Sequence, residues 1–317
     1  MKILSPKIIP KNANIQSILA SSKLRLIRLV LNNPVRKKAQ SILLETKEAT
    51  LQGFYTEKKA AETLFILFHG WEGSANSTYI QLLANSLYKH KNASIFRLNF
   101  RDHGDTHHLN KDIFHSCRLT EVLLSVKKII QKFPHKNIIL CGFSLGGNFS
   151  LRVAEKAYEY GIDIDKVFAI SPPLNPKNSM LAIEKSSFYA NYFMHKWQRS
   201  LAKKAKVFPE YFDDDQYKTI KTLEKLTDLL IIGHSDYNNT DEYFQGYQIT
   251  EKILKNIKIP CHIITAWDDP VIPFADFMVA DKKQSIQLVT CKHGGHCGFV
   301  NVWTMHSWIE DYIQENT

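Results

Sequence analysis

The chain has 317 residues, 44% hydrophobic and 23% charged, a balance that excludes a disordered polymer and suits one large α/β domain carrying an insertion. The formal net charge of +10 falls on scattered lysines with no zinc-finger, RNP or basic-zipper pattern, which argues against nucleic acid as a partner. Five cysteines, an odd number without a C-x-x-C pair, argue against a disulfide framework or a zinc ribbon and for buried reduced thiols.

The opening MKILSPKIIPKNANIQ has no uninterrupted apolar core and no small-residue cleavage site, and no later run reaches the ~18–20 residues that cross a bilayer. A cytoplasmic protein is the expectation. The densest basic stretch is KLRLIRLVLNNPVRKK, Lys23 to Lys38. Together with Ile15, Ile18, Leu19, Leu26, Leu29 and Val30 it reads as an amphipathic helix packed on its own domain, with peripheral membrane contact as the alternative.

Six short runs, nearly continuous in apolar character, follow: TLFILF (Thr63 to Phe68), ASIFRL (Ala93 to Leu98), NIILCG (Asn137 to Gly142), KVFAI (Lys166 to Ile170), CHIITA (Cys261 to Ala266) and SIQLVT (Ser285 to Thr290). Such runs suit strands buried on both faces of a parallel sheet. Helical patterns alternate with them, over Ser77 to His90, Arg118 to Phe133 and Leu145 to Tyr160, so a doubly wound α/β sheet is predicted. From Ser171 to Pro260 no comparable strand series occurs, and the aromatic, helix-compatible composition predicts an inserted helical cap within about 171–255.

Chemistry concentrates where strands end. After NIIL comes CGFSLGGN, a G-x-S-x-G turn entering a helix, which is the setting of a nucleophile elbow at Ser144. A serine alcohol needs a base, and the base needs a carboxylate to orient it. In this architecture they follow in the order Ser, Asp/Glu, His, each after a strand. WDDPVIP after CHIITA offers Asp269, with Asp268 as the fallback. CKHGGHCGF after SIQLVT offers His296, which follows two glycines, in preference to His293. The backbone amides of Leu145 and of Trp71, in LFHGWEGS, are the expected oxyanion donors. The Trp71 indole would line an acyl pocket or serve packing alone. RDHGDTHH, with Asp102, His103, Asp105, His107 and His108, matches no trusted zinc spacing and reads as a structural loop; no metal is predicted.

These motifs, in this order, resemble the α/β-hydrolase superfamily and within it the type 4, YheT-like family. IQSIL (Ile15 to Leu19) is similar to its H-L-Q-T-I-L segment, HGWEGS to H-G-L-E-G-S, and GFSLGGN to its elbow. Thr240 to Pro270 is similar to its D-Y-Y…I-x-x-P…A-x-D-D-P block and GGHCGF to G-G-H-x-G-F. The resemblance covers nearly the whole chain and makes the N-terminal segment an ordinary part of the fold. It implies a single α/β-hydrolase domain, residues 1–317, and a serine hydrolase of carboxylic esters, lipid-derived ones among them, that needs no cofactor. Trp71 stands where leucine is usual, Asp102 replaces a glycine, and TLEKLTDLL lacks the family's E-F-D signature. These departures bear on the substrate. An acyltransferase or thioesterase, or a non-catalytic binding module, is the alternative function.

Overall fold

Runs that are nearly continuous in apolar character form stable strands where both faces are covered. The computed structural model, which describes residues 1–280 and 284–317, builds its sheet on them. The chain begins with β1 (Lys2–Leu4), α1 (Ala13–Ser21), a 3₁₀ segment (Lys23–Leu29), α2 (Pro34–Lys37), β2 (Gln40–Glu45) and β3 (Thr50–Thr56). The alternating part is β4 (Thr63–Phe68), α3 (Thr78–His90), β5 (Ser94–Leu98), α4 (Leu119–Lys132), β6 (Asn137–Phe143), α5 (Leu145–Lys156) and β7 (Lys166–Ile170). Six helices follow without a strand: α6 (Pro176–Glu184), α7 (Ser187–Val207), α8 (Asp214–Thr219), α9 (Leu223–His234), α10 (Thr240–Tyr247) and α11 (Glu251–Asn256). The chain closes with β8 (Cys261–Ala266), a 3₁₀ segment (Phe274–Ala280), β9 (Ile286–Cys291), β10 (Val300–Asn301), β11 (His306–Ser307) and α12 (Trp308–Glu315).

The main sheet runs β1-β9-β8-β7-β6-β4-β5-β3-β2, parallel from β1 to β5, with β3 and β2 antiparallel at one edge. It has nine strands where the apolar runs predicted six. Strands β2 and β3 lack an apolar run because they alternate between covered and open faces, as an antiparallel edge does, and β1 is three residues long. The N-terminal basic stretch also departs from expectation. It is three short pieces, broken by extended Ser22 and by Pro34 at the start of α2, rather than one amphipathic helix.

Strand β4 shows how the core divides. Leu64, Ile66 and Phe68 face a layer containing Val122 and Val126 of α4 and Phe149 and Leu151 of α5. Phe65 and Leu67 face the opposite layer, with Leu83 and Leu87 of α3 and Ile309 and Ile313 of α12. Alternate side chains pack on opposite faces, and each buried Leu or Phe contributes roughly 1.5–3 kcal/mol. The parallel strands therefore end together at one edge, and the loops after β4, β5, β6, β8 and β9 all open there. That edge is the usual place for a site in an open α/β sheet.

Helix α5 lies unusually close to the sheet. A Cβ on Gly146 would stand 2.5 Å from the His69 carbonyl oxygen and 2.6 Å from that of Phe68. Those are backbone atoms of a central strand and cannot swing aside. Gly146→Ala is expected to cost about 1–3 kcal/mol, measured as a lower urea midpoint with an unchanged slope.

Candidate active site

Strand β6 pairs with β4 up to Phe68↔Gly142 and with β7 up to Phe143↔Ile170. The next residue, Ser144, is turned out of the sheet: its N–H donates to the Ile170 carbonyl at 2.7 Å and its φ is 52°, ψ −121°. A serine at positive φ is strained by of order 1–3 kcal/mol, and such strain persists only where its surroundings impose it. Here the imposing contact is the approach of α5, whose first residue is Leu145. As a first helical residue, Leu145 has an amide with no intrahelical acceptor, aimed toward the N-terminal end where the helix dipole favours negative charge.

The loops after β8 and β9 bring two carboxylates against two imidazoles in separate pairs. Nδ1 of His296 lies 2.9 and 3.2 Å from the two carboxylate oxygens of Asp269. The Asp269 side chain is fully covered, and its Oδ1 also accepts from the amides of Val271 (2.8 Å) and Ile272 (2.9 Å). Asp268 instead accepts from the Gly294 and Gly295 amides at 3.0 and 2.9 Å, and its other oxygen lies 3.3 Å from Nδ1 of His293. Asp268 thus shapes the loop that carries His296, while Asp269 orients the ring. Burial alone would disfavour the His296 cation, but the Asp269 carboxylate outweighs it and holds the imidazole well above its ordinary value of 6.5. Among the described residues no hydrogen bond joins Ser144 Oγ to His296; the two side chains meet across a cavity they both line.

The loop after β4 supplies the other amide. Gly70 N–H donates to the Tyr79 hydroxyl at 3.0 Å and Glu72 N–H to Nε2 of His103 at 3.1 Å. Between them, the Trp71 amide meets no acceptor among the described residues. His69 fastens this loop to the next: its Nδ1 is 2.8 Å from the Gly70 carbonyl, and the Phe100 amide donates to its Nε2 at 3.2 Å. Burial, then the neighbouring His103, drives the His69 pKa well below 6.5, so the ring is neutral. His103 is held at about 4 by burial, with Nδ1 on the Arg101 carbonyl at 2.7 Å.

RDHGDTHH is therefore occupied by structural bonds. Asp102 accepts from the Phe114 amide (2.8 Å) and from Lys204 of α7 (2.8 Å). Lys204 is 1% exposed and also donates to the carbonyls of His107, Asn110 and Asp112. Among the described residues no group of three or more His, Cys, Asp or Glu is placed to hold a metal ion.

Two cavities meet at Ser144. A narrower one, about 110 Å³, lies beneath the helices between β7 and β8 and is lined by Leu145, Met180, Ile183, Leu230 and Ile231 among others. A wider one, about 420 Å³, opens past His296, Tyr79, Tyr189 and Lys196. Trp71, Phe193 and Val271 line both. The Trp71 indole stacks on Phe193 (5.3 Å, 14°) and meets Trp197 edge-on (5.1 Å, 74°), so it both packs and partitions the space.

Several residues that shape this site carried no signal in the sequence. Ser17 of α1 accepts from the His296 amide at 2.8 Å, and Gln16 is bonded both ways to Val300 (2.9 and 2.7 Å). Gly295, at φ 54°, lets the histidine loop press on α1, where a Cβ would stand 2.3 Å from the Ala13 carbonyl oxygen. The role of Tyr79 and the Asp102–Lys204 pair likewise depend on contacts between distant segments. Only the IQSIL resemblance pointed to that region at all.

A parallel-centred sheet with a strained serine after its middle strand, and an Asp–His pair after later strands, defines an α/β hydrolase architecture. Residues 63–256 match the family model of the alpha/beta hydrolase fold, and the chain belongs to that family. It is similar to the putative esterase YheT of Escherichia coli K12, 26% identical over 261 residues that cover 79% of this chain and 75% of that protein. It is also similar to monoacylglycerol lipase ABHD2 of Danio rerio, 24% identical over 186 residues, covering 54% of this chain and 44% of that one. Among solved structures, an esterase of Pyrobaculum calidifontis shares the fold with a TM-score of 0.61 at 17% identity, covering 96% of this chain and 93% of its own. The Pyrococcus furiosus esterase Pf2001 does so at 0.59 and 15%, covering 87% and 90%.

Replacing Lys204 by methionine strands the buried Asp102 carboxylate. Lys204→Met is expected to destabilise by about 3–5 kcal/mol in urea unfolding, and the Asp102→Asn/Lys204→Met double variant to recover only part of that loss, because the carbonyls of His107, Asn110 and Asp112 still lack their donor.

Proposed function

We propose that the protein is a serine hydrolase of carboxylic esters, with α6 to α11 forming a cap over the acyl site. One observation carries this reading: Ser144, on its strained elbow, lines the same cavity as His296, whose far ring nitrogen is held by Asp269. Oγ of Ser144 attacks the acyl carbon while its proton passes to Nε2 of His296. Asp269 stabilises the imidazolium without taking the proton. The amides of Leu145 and Trp71 donate to the oxyanion. Collapse of the tetrahedral intermediate breaks the ester C–O bond, and the leaving alcohol takes the proton from Nε2. Water then attacks the acyl-enzyme, yields a proton to the same nitrogen, and the acid leaves as Ser144 regains its hydrogen. The similarity to esterases supports the reaction class, and the apolar lining of the narrower cavity supports an apolar acyl group, lipid-derived esters included.

A fluorophosphonate probe is expected to label the wild-type protein and not Ser144→Ala; a folded wild-type protein that resists labelling would sink the proposal. Asp269→Asn should lower kcat by about 10⁴, because the ring loses the partner that sets its tautomer.

The pH profile follows from the same pair. Only the neutral imidazole accepts the serine proton, so kcat/KM falls as pH drops through the His296 pKa, which Asp269 raises. The acid limb is therefore expected above pH 6.5 in the wild type and at lower pH in Asp269→Asn.

The narrower cavity is smaller than the roughly 150 Å³ engineered cavity that holds benzene. Turnover of p-nitrophenyl esters should decline as the acyl chain outgrows it, and Trp71→Ala, which joins the two cavities, should extend the accepted length by several carbons.

A further inference from the structure

The 3₁₀ segment Lys23–Leu29 is inside out. Arg25 is 1% exposed, with its guanidinium on the Ala20 and Met305 carbonyls (3.1 Å each) and on Glu310 (3.3 Å). Arg28 turns the same way, to Glu310 at 2.7 and 3.0 Å. Burial pulls Arg25 only to about 10, so it stays charged at neutral pH. Meanwhile Leu24, Ile27 and Val30 are 71%, 69% and 73% exposed, and Leu31 is 95% exposed. With three residues per turn, positions 24, 27 and 30 fall on one edge, an apolar ridge about 12 Å long. Single exposed apolar side chains are ordinary, but a continuous ridge marks a surface that something covers.

Three further observations say what covers it. The hairpin of β10 and β11, tied to this segment through the Met305 carbonyl, carries Trp303 at 82% exposure. Residues 1–44 hold nine Lys and Arg and no Asp or Glu, so they carry +9 of the formal +10; the remaining 32 Lys and Arg are met by 31 Asp and Glu. Helix α1, which leads directly into this segment, reaches the rim of the wider cavity, where Ile18, 49% exposed, and Ser21 line the space. Among the described residues no helix is long and apolar enough to cross a membrane, so contact there is peripheral.

We propose that the ridge Leu24–Ile27–Val30, with Leu31 and Trp303, docks this protein on an anionic lipid surface and sets the mouth of the Ser144 cavity against it. Apolar side chains and an exposed indole enter the interface while the exposed cations flanking the ridge in the chain, Lys23, Arg36, Lys37 and Lys38, meet lipid phosphates. A second copy of the chain is disfavoured as the occupant, because it would face the same exposed cations, Lys23, Arg36, Lys37 and Lys38 among them, that remain after Arg25 and Arg28 have turned to Glu310. The docking does not depend on ester hydrolysis; only the delivery of a lipid-borne ester to Ser144 rests on that proposal.

Co-sedimentation with vesicles of phosphatidylcholine alone and of phosphatidylcholine with phosphatidylglycerol tests it. Wild type and Ser144→Ala are both expected to bind the anionic vesicles, less tightly as salt is raised, and the neutral vesicles weakly. The Leu24→Ser/Ile27→Ser/Val30→Ser variant should lose at least about tenfold in affinity while its melting temperature and soluble-ester turnover stay unchanged. Should the triple variant fail to fold, Leu31→Ser and Trp303→Ser, both at solvent-facing positions, provide the same comparison. The proposal is overturned if wild type ignores anionic vesicles at low salt, or if the serine variants bind as wild type does. It is equally overturned if sedimentation reveals a dimer that the ridge variant dissociates.

Discussion

The close approach of α5 to β4 and β6 is the constraint on which the candidate site depends. Gly146 allows the helix to start within van der Waals distance of the Phe68 and His69 carbonyls. The chain leaving β6 has no room for an ordinary turn, so Ser144 takes a left-handed backbone and stands clear of the sheet. The same approach sets Leu145 beside the loop after β4, so that Leu145 and Trp71, whose amides meet no acceptor among the described residues, line one cavity with Ser144. Strain at one residue is offset by the burial of a whole helix face.

The loops around that elbow are held by polar groups rather than by apolar packing. His69 and His103, kept neutral by burial, use both ring nitrogens on backbone partners and tie the β4 loop to the β5 loop. Lys204 reaches from α7 into the β5 loop and gathers one carboxylate and three carbonyls. In a low-dielectric setting such groups are costly unless fully partnered, and once partnered they define one geometry. The helices over the site are therefore joined to the loops that build it.

Two adjacent aspartates have been given different work by their surroundings. Asp268 receives amides and holds a loop; Asp269 receives amides and an imidazole and is sealed from water. The ring it orients faces a cavity bounded by the Trp71 indole, which also lines the narrower space beside it. The N-terminal segment contributes from the far side: α1 supports the histidine loop through Ser17, and the residues after it present an apolar ridge outward. Support for the candidate site and an exposed surface thus come from one stretch of chain.

The sequence by itself determined the parallel half of the sheet, because TLFILF, NIIL, KVFAI and CHIITA are short, nearly continuous in apolar character and separated by helical patterns, as strands covered on both faces are. It determined the elbow too, since G-x-S-x-G between a strand and a helix admits few geometries, and it named Asp269, Asp268, His296 and His293 as candidates by their place after strands. It did not reveal β1, β2 and β3, whose patterns are short or half-open. Only the tertiary structure decided which aspartate meets which histidine, because adjacent carboxylates differ by the direction in which a loop turns them and not by composition. Only the tertiary structure, likewise, turned Arg25 inward and Leu24 outward. That reversal rests on Glu310, 285 positions away, a partner that no local pattern can announce.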